Sequence, residues 1–263
     1  MNRIKNILKK IINVGIVNTQ KNVFIKDLLK KQSIIAEATT EENLIMNICS
    51  QYSMTPKIRM WALIQSIKYL IKNNIEGDVV ETGVYKGGNL ILSKKILNKF
   101  NINSKKIYGY DTFEGMTQPT ANDKDIFGEN PMKMWRKSQR EEYNDWCYAS
   151  IDEVEKNFIK EIGNSNMLNL IKGPVEKTLP KEENLPNKIS LLRLDTDWYE
   201  SSKMELEILY PKLVKGGILI IDDYGHFQGA QEATDKYFSE VSQEILFHRI
   251  DYSCRVGIKP QLH

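Results

Sequence analysis

The stretch Gly217–His226, GILIIDDYGH, runs four apolar residues into two adjacent aspartates, then a tyrosine, a glycine and a histidine. Three other apolar stretches also end on acids: Glu81 in DVVETG, Asp111 in IYGYD, and Asp195 with Asp197 in LLRLDTD. Aspartate favours helix N-caps, which accounts for one or two such residues but not for four. Carboxylates gathered at one spot repel and raise one another's pKa. A divalent cation removes that penalty. An all-oxygen donor set with no clustered His or Cys selects Mg²⁺, with Ca²⁺ or Mn²⁺ as the other candidates. The competing arrangement is a set of salt bridges to a basic residue such as Arg193. Under the metal reading three or four of these carboxylates converge if the strands ending at Asp195 and Asp222 are neighbours, with Asp195 as a ligand. Asp195 is also the base that takes the proton of a metal-bound hydroxyl. Asp197 shares that role or faces solvent. His226 is the second candidate base, with substrate contact as its simpler role.

The run ETGVYKGG sets Gly83, Gly87 and Gly88 just after the first of these stretches. It is neither the GxGxxG of dinucleotide-binding proteins nor a phosphate loop with GK[ST]. Glycines at this place let backbone approach a ligand closely. Asp111, 28 residues past Gly83, is placed to accept hydrogen bonds from ribose hydroxyls. A glycine loop and a ribose acid without a pyrophosphate fingerprint point to a nucleoside. The plainer alternative is a set of turn glycines and a solvated aspartate.

These residues meet only if the chain brings the apolar stretches side by side. After a helix predicted over Thr55–Asn74, with Pro56 in its first turn, the pattern alternates. Strands are expected at Gly77–Gly83, Lys105–Phe113, Met167–Gly173, Lys188–Asp195 and Gly216–Asp223. Helices are expected at Gly87–Phe100, Ile151–Gly163, Glu200–Leu213 and Gly229–Val241, and the strands EILFHRI and CRVGIKP follow as a hairpin. The strands are continuous apolar runs, as in a parallel sheet covered on both faces. The predicted fold is a doubly wound α/β domain over 76–263, with an antiparallel C-terminal hairpin and a helical N-terminal extension over 1–75. In such sheets ligands bind beyond the carboxyl ends of the strands, where the four acidic ends fall. Thr117–Ser150 is far longer than a strand-to-helix link needs. Trp135, Trp146, Phe127 and Tyr143 give it something to pack with, so it is expected to form a lid.

Composition sets outer bounds. A chain of 263 residues, 41% hydrophobic and 27% charged, fits one soluble globular domain with an added arm. A net charge of +3 is too slight to argue for nucleic acid. Cys49, Cys147 and Cys254 are scattered, as expected of reduced thiols in a cytoplasmic protein. His226, His248 and His263 are too far apart for a recognisable zinc motif. No stretch reaches the roughly 18 apolar residues of a membrane span. Ile4, Ile7, Leu8, Ile11 and Ile12 share one helical face of a basic amphipathic segment over residues 1–16. Docking on the domain itself or on a second subunit is favoured over contact with a membrane surface.

The motifs ETGVYKGG, YDTFEGM, LLRLDTDWYESS, GGILIIDDYGHFQGA and the late RIDY resemble the macrocin O-methyltransferase (TylF) family, and YSMT at Tyr52–Thr55 resembles its leading helical segment. The resemblance runs from about Tyr52 to Lys259. It implies a Rossmann-like class I methyltransferase fold and S-adenosylmethionine- and Mg²⁺-dependent methylation of a sugar hydroxyl. It also implies a homo-oligomer joined through N-terminal helices. On the matching positions it implies cofactor contacts from Tyr52, Met54, Thr55, Glu81, Thr82, Gly83, Tyr85, Gly87 and Gly88. Asp111, Thr112, Phe113, Val175, Glu176 and Asp195 complete that set. The implied metal ligands are Asp195, Asp222 and Asp223. A catechol-type metal-dependent methyltransferase, a nicotinamide-dependent oxidoreductase and a non-catalytic scaffold remain as rival readings. The missing GxGxxG argues against the second, and intact acids at every strand end against the third.

Overall fold

A computed structural model describes residues 35–241 and 244–260. The amphipathic segment at residues 1–16 lies outside the described residues. The first described helix, α1 (Thr40–Cys49), opens with a capping box: Thr39 and Glu42 each accept the other's backbone N–H. Helix α2 (Lys57–Lys72) starts after Pro56, which has no N–H to leave unsatisfied. Its buried stripe of Met60, Leu63, Ile64, Ile67 and Leu70 has helical spacing.

Seven strands form one sheet in the order β3-β2-β1-β4-β5-β7-β6. Strands β1 (Asp78–Thr82), β2 (Ile107–Asp111), β3 (Leu168–Lys172), β4 (Ile189–Leu194) and β5 (Leu213–Ile221) are parallel. Strands β6 (His248–Arg249) and β7 (Arg255–Ile258) close one edge antiparallel. The connections carry α3 (Gly88–Lys99), α4 (Met132–Ser138), α5 (Ile151–Ile162), α6 (Val175–Thr178), α7 (Tyr199–Ile208) and α8 (Gln228–Glu240). This is the doubly wound sheet with an antiparallel hairpin that the alternating pattern predicts.

Alternate strand residues feed two cores. Val79, Leu191, Ile218 and Ile220 pack on the side of α1, α2, α3 and α5, whereas Val80, Leu192, Leu219 and Ile221 join Leu206, Leu209 and Tyr210 on the other face. The strand expected over EILFHRI is reduced to His248–Arg249, and a helix and strand boundary also moves. The helix expected to reach Leu213 stops at Ile208, and β5 begins at Leu213. Pro211 supplies no N–H to continue the helix, so the chain makes a 3₁₀ turn over Tyr210–Lys212.

The chain moves outward from β1 through β2 to β3, then returns to place β4 on the other side of β1. That reversal opens a crevice at the carboxyl ends of β1 and β4. The long insertion folds over it. Trp135 Nε1–H donates to the Met116 carbonyl at 2.9 Å, and Trp146 packs edge-on against Trp198 at 5.9 Å. Phe127, expected to help anchor the insertion, is 80% exposed and does not.

Candidate active site

A cavity of about 240 Å³ opens over the carboxyl ends of β1, β2, β4 and β5. Its walls are Ser53–Thr55 ahead of α2, Gly83–Tyr85 after β1, Asp111 and Thr112 after β2, and Gly173–Glu176 after β3. The insertion adds Gly115–Thr117 and Cys147, and the loops after β4 and β5 add Asp195–Asp197, Asp222 and Asp223.

One end is built around Asp111. Its Oδ2 accepts the amides of Val84 at 2.8 Å and Tyr85 at 3.2 Å, and its Oδ1 accepts the Phe113 amide at 2.8 Å. Thr112 Oγ1 lies 3.3 Å from Oδ1 but donates its one proton to the Gly115 carbonyl at 2.6 Å. A carboxylate has about four acceptor positions, so one on Oδ1 stays open for a hydroxyl. Burial pushes the Asp111 carboxyl up, and the three amides pull it back. Gly83, at φ +71°, lies against the Asp195 carbonyl, where a Cβ would collide with the oxygen. This close approach draws the β1 and β4 loops into one rim. Val175 and Glu176 wall the same end. Its free acceptor and apolar wall suit a nucleoside.

Several expected cofactor contacts lie off this cavity. Tyr52 is buried and donates its hydroxyl to Glu161 Oε1 at 3.0 Å. Thr82 and Phe113 are core residues. Gly88 is a packing glycine: a Cβ there would meet Ser53 Cβ and the Cys49 and Tyr52 carbonyls. Gly87 faces Val154. Glu81, 3% exposed, accepts from Asn89 Nδ2 at 3.0 Å and Arg193 Nη1 at 2.6 Å behind the rim. Met54, Thr55, Gly83, Tyr85, Asp111, Thr112, Val175, Glu176 and Asp195 do line it.

The other end holds carboxylates. Asp195, Asp197 and Asp223 each bring one oxygen to within 4.8 Å of the other two. Burial raises all three carboxyls: Asp195 and Asp223 well above the ordinary range, Asp197 to about 7. Arg193 opposes the rise at Asp195 through a 2.7 Å contact to Oδ2. Asp197 stands at φ +69°, a left-handed conformation that costs on the order of 1–3 kcal/mol in a non-glycine residue. Asp223 Oδ2 is buried without a hydrogen-bond partner among the described residues. Three converging carboxylates, one with an orphaned oxygen, fit a hard divalent cation. Cys147 lines the same cavity, where burial and then the nearby acids raise its thiol far above its ordinary value; a soft sulfur is also a poor donor for a hard cation.

Asp222 behaves differently from expectation. Its Oδ1 accepts from Arg193 Nη2 at 2.6 Å and its Oδ2 pairs with Arg59 Nη1 from α2. Each of its oxygens meets a guanidinium, and the group of three converging carboxylates contains Asp197 where Asp222 was expected. Arg193 thus bridges Glu81, Asp195 and Asp222, and Arg59 Nε reaches on to Asp251 Oδ2 at 2.7 Å. The Arg193–Glu81 pair was available to sequence reasoning, because the two residues are register partners on β4 and β1. Arg59 and Asp251 gave no such signal, being 192 residues apart. His226 does not line the cavity. Its Nδ1 lies 3.3 Å from the Tyr252 hydroxyl, its ring meets Phe227 edge-on, and burial lowers its pKa.

Comparison with known proteins places this geometry. Residues 6–256 match the model of the family described as Macrocin-O-methyltransferase (TylF), and the chain belongs to that family. It is similar to demethyldecarbamoylnovobiocin O-methyltransferase of Streptomyces niveus, 32% identical over 66% of this chain and 62% of that enzyme. It is similar also to the 8-demethyl-8-(2,3-dimethoxy-alpha-L-rhamnosyl)-tetracenomycin-C 4'-O-methyltransferase of Streptomyces olivaceus, 29% identical over 60% of this chain and 57% of that enzyme. The matched regions therefore span less than two thirds of these two enzymes. Among solved structures, the O-methyltransferase NovP superposes with a TM-score of 0.70 and 28% identity, covering 80% of this chain and 83% of NovP.

Proposed function

We propose that this member of the macrocin O-methyltransferase (TylF) family transfers a methyl group from S-adenosylmethionine to a hydroxyl of a sugar or glycoconjugate, with a divalent cation, Mg²⁺ by preference, held by Asp195, Asp197 and Asp223. The observation that carries this reading is the convergence of those three carboxylates, one oxygen unpartnered, beside a nucleoside-shaped recess. The rhamnosyl group in the name of the S. olivaceus relative supports a sugar as acceptor.

When bound, the donor supplies an electrophilic methyl and the cation polarises the acceptor hydroxyl. The chain's own residues do the rest. Asp111 holds a ribose hydroxyl through the open acceptor position on Oδ1, while Val175 and Glu176 wall the base. Arg193 fixes the Asp195 carboxylate by a 2.7 Å hydrogen bond, which makes Asp195 a ligand more than a base. Asp197 has no guanidinium partner among the described residues, so it joins Asp195, the sequence-based choice, as a candidate to take the acceptor proton. Met116, Thr117 and Cys147 cover the cavity and keep water from the transfer path. Near-attack geometry then follows from one rigid rim carrying both ends of the cavity.

The test uses methyl-labelled donor with three acceptor panels: deoxysugar glycosides, nucleotide sugars and catechols, each with Mg²⁺ or with chelator. Mg²⁺-dependent label on a sugar is the expected result. Label on catechols alone replaces the acceptor class, and full activity in chelator removes the cation. The reading also makes the protein cytoplasmic and a homo-oligomer joined through its N-terminal helices. Among the described residues no helix is long and apolar enough to cross a membrane. Sedimentation of the full chain against one lacking residues 1–34 tests the assembly.

A further inference from the structure

The turn that carries Asp195 and Asp197 runs through Trp198 straight into α7. Trp198 occupies the N-cap position and its side chain makes no capping bond. The cap comes instead from the insertion. Asp123, fully buried, accepts the amide N–H of Tyr199, the first residue of α7, on Oδ1 at 2.8 Å. Its Oδ2 accepts the amide and the hydroxyl of Thr120 at 2.6 and 2.7 Å. A carboxylate here also meets the positive end of the helix dipole.

The fit around this carboxylate is tight. Gly229 of α8 faces it with bare backbone, and a Cβ there would press on both Asp123 Oδ1 and the Tyr199 amide nitrogen. Two more bonds fasten the insertion to the same place: Trp198 Nε1–H donates to the Thr117 carbonyl at 3.1 Å, and the Gln228 amide donates to the Lys124 carbonyl at 2.8 Å. The Trp198 amide in turn donates to the Thr196 carbonyl at 2.8 Å, closing the turn around left-handed Asp197. A strained conformation of this kind persists only where its surroundings over-determine it.

We infer that Asp123 is a positioning residue for the acid cluster: by capping α7 it holds the Asp195–Asp197 turn in its ligating shape, so the insertion is part of the catalytic frame. This rests on the reading of Asp195, Asp197 and Asp223 as cation ligands. It changes the meaning of the insertion, whose root is fixed to the acid turn.

The experiment compares wild type, Asp123→Ala, the size-conserving Asp123→Asn and Gly229→Ala as full chains. Three quantities are read: hydrogen exchange of the Thr196–Tyr199 amides, Mn²⁺ affinity by paramagnetic resonance, and S-adenosylhomocysteine affinity by calorimetry. Loss of an outer support of this kind weakens metal binding by about 10–100-fold. Asp123→Ala is expected to speed exchange at Thr196–Tyr199 and to weaken Mn²⁺ by about tenfold at least, with S-adenosylhomocysteine affinity within about twofold of wild type, since Asp111 is held by the Val84, Tyr85 and Phe113 amides and not by this turn. Gly229→Ala, which presses on the same carboxylate from the far side, gives a smaller shift in the same direction. Should Asp123→Ala not fold, Asp123→Asn decides, because its amide N–H groups oppose the Thr120 donors. Unchanged exchange at Thr196 and Asp197, or unchanged Mn²⁺ affinity in variants whose Tyr199 amide has loosened, overturns the inference. A wild type that binds S-adenosylhomocysteine but no Mn²⁺ sinks the cation reading instead, and exchange at Thr196 and Asp197 then judges the positioning role alone.

Discussion

Asp222 and Asp223 are consecutive and leave the same strand, yet they belong to opposite regimes. Asp222 is 5% exposed and gives both oxygens to arginines. Asp223 keeps one buried oxygen with no partner and lies among Asp195 and Asp197. Successive strand residues point to opposite sides, and the end of β5 turns that alternation into a division of labour. On one side Arg59 and Arg193 balance Glu81, Asp195, Asp222 and Asp251, and the charges lock elements together. On the other side the charges are left uncompensated, which the fold tolerates only by raising the carboxyls and straining Asp197. Asp222 and Asp251 are bound up with arginines, Asp197 and Asp223 face the cavity, and Asp195 belongs to both sets.

The comparison breaks first at Arg193. Arg193→Ala strips the counter-charge from three carboxylates at once and is expected to destabilise by about 3–5 kcal/mol, read by urea unfolding. A loss below about 1 kcal/mol would dissolve the distinction. Next, Asp223→Asn removes a ligand without removing a structural partner. Methyl transfer is expected to fall about 100-fold, equivalent to about 2.7 kcal/mol of barrier, while the melting temperature holds or rises. If activity survives and stability drops, the two aspartates have been assigned the wrong way round. Asp251→Asn, on the paired side, loses a charged hydrogen bond to Arg59 and is expected to cost about 1.5 kcal/mol in stability, with little change in donor affinity measured by calorimetry.

The smallest effect concerns Glu205, a buried acid with no guanidinium partner among the described residues. Burial pushes its carboxyl up to about 8, and one oxygen lacks a partner while the other accepts from Thr196 at 2.8 Å. In the folded protein it keeps its proton to about pH 8; unfolded, it loses that proton near pH 4.3. The folded state therefore binds the extra proton between those values, and stability falls as pH rises through that window. Glu205→Gln has no proton to lose. Its urea midpoint is expected to gain on wild type from about pH 4.3 up to about 8 and to run parallel above; a gap that narrows with rising pH would contradict this.

Much of this was legible in the residues. Continuous apolar runs at the β1, β2, β4 and β5 positions, each ending on an acid, are a property of period and placement, and they yield the parallel sheet and its acidic edge. Which way each acid points was not legible. Asp222 and Asp197 exchange roles because Arg59 reaches in from α2, and a contact across 163 residues leaves no trace in local spacing. Gly87 and Gly88 looked like ligand glycines and are needed by Val154 and by Ser53 with the Cys49 and Tyr52 carbonyls, for the same reason. The insertion's four aromatics suggested packing, and Trp146 does pack on Trp198, but the bond to the first amide of α7 comes from the buried Asp123, and burial is decided by tertiary structure.

Arg59 has one more consequence. It ties α2 to Asp251, just ahead of the last strand, so the wall ahead of β1 and the turn of the antiparallel hairpin are fastened to each other across 192 residues of chain. Release of the C-terminal hairpin from the sheet edge would therefore free Arg59, and with it one of the two guanidiniums that sit on Asp222.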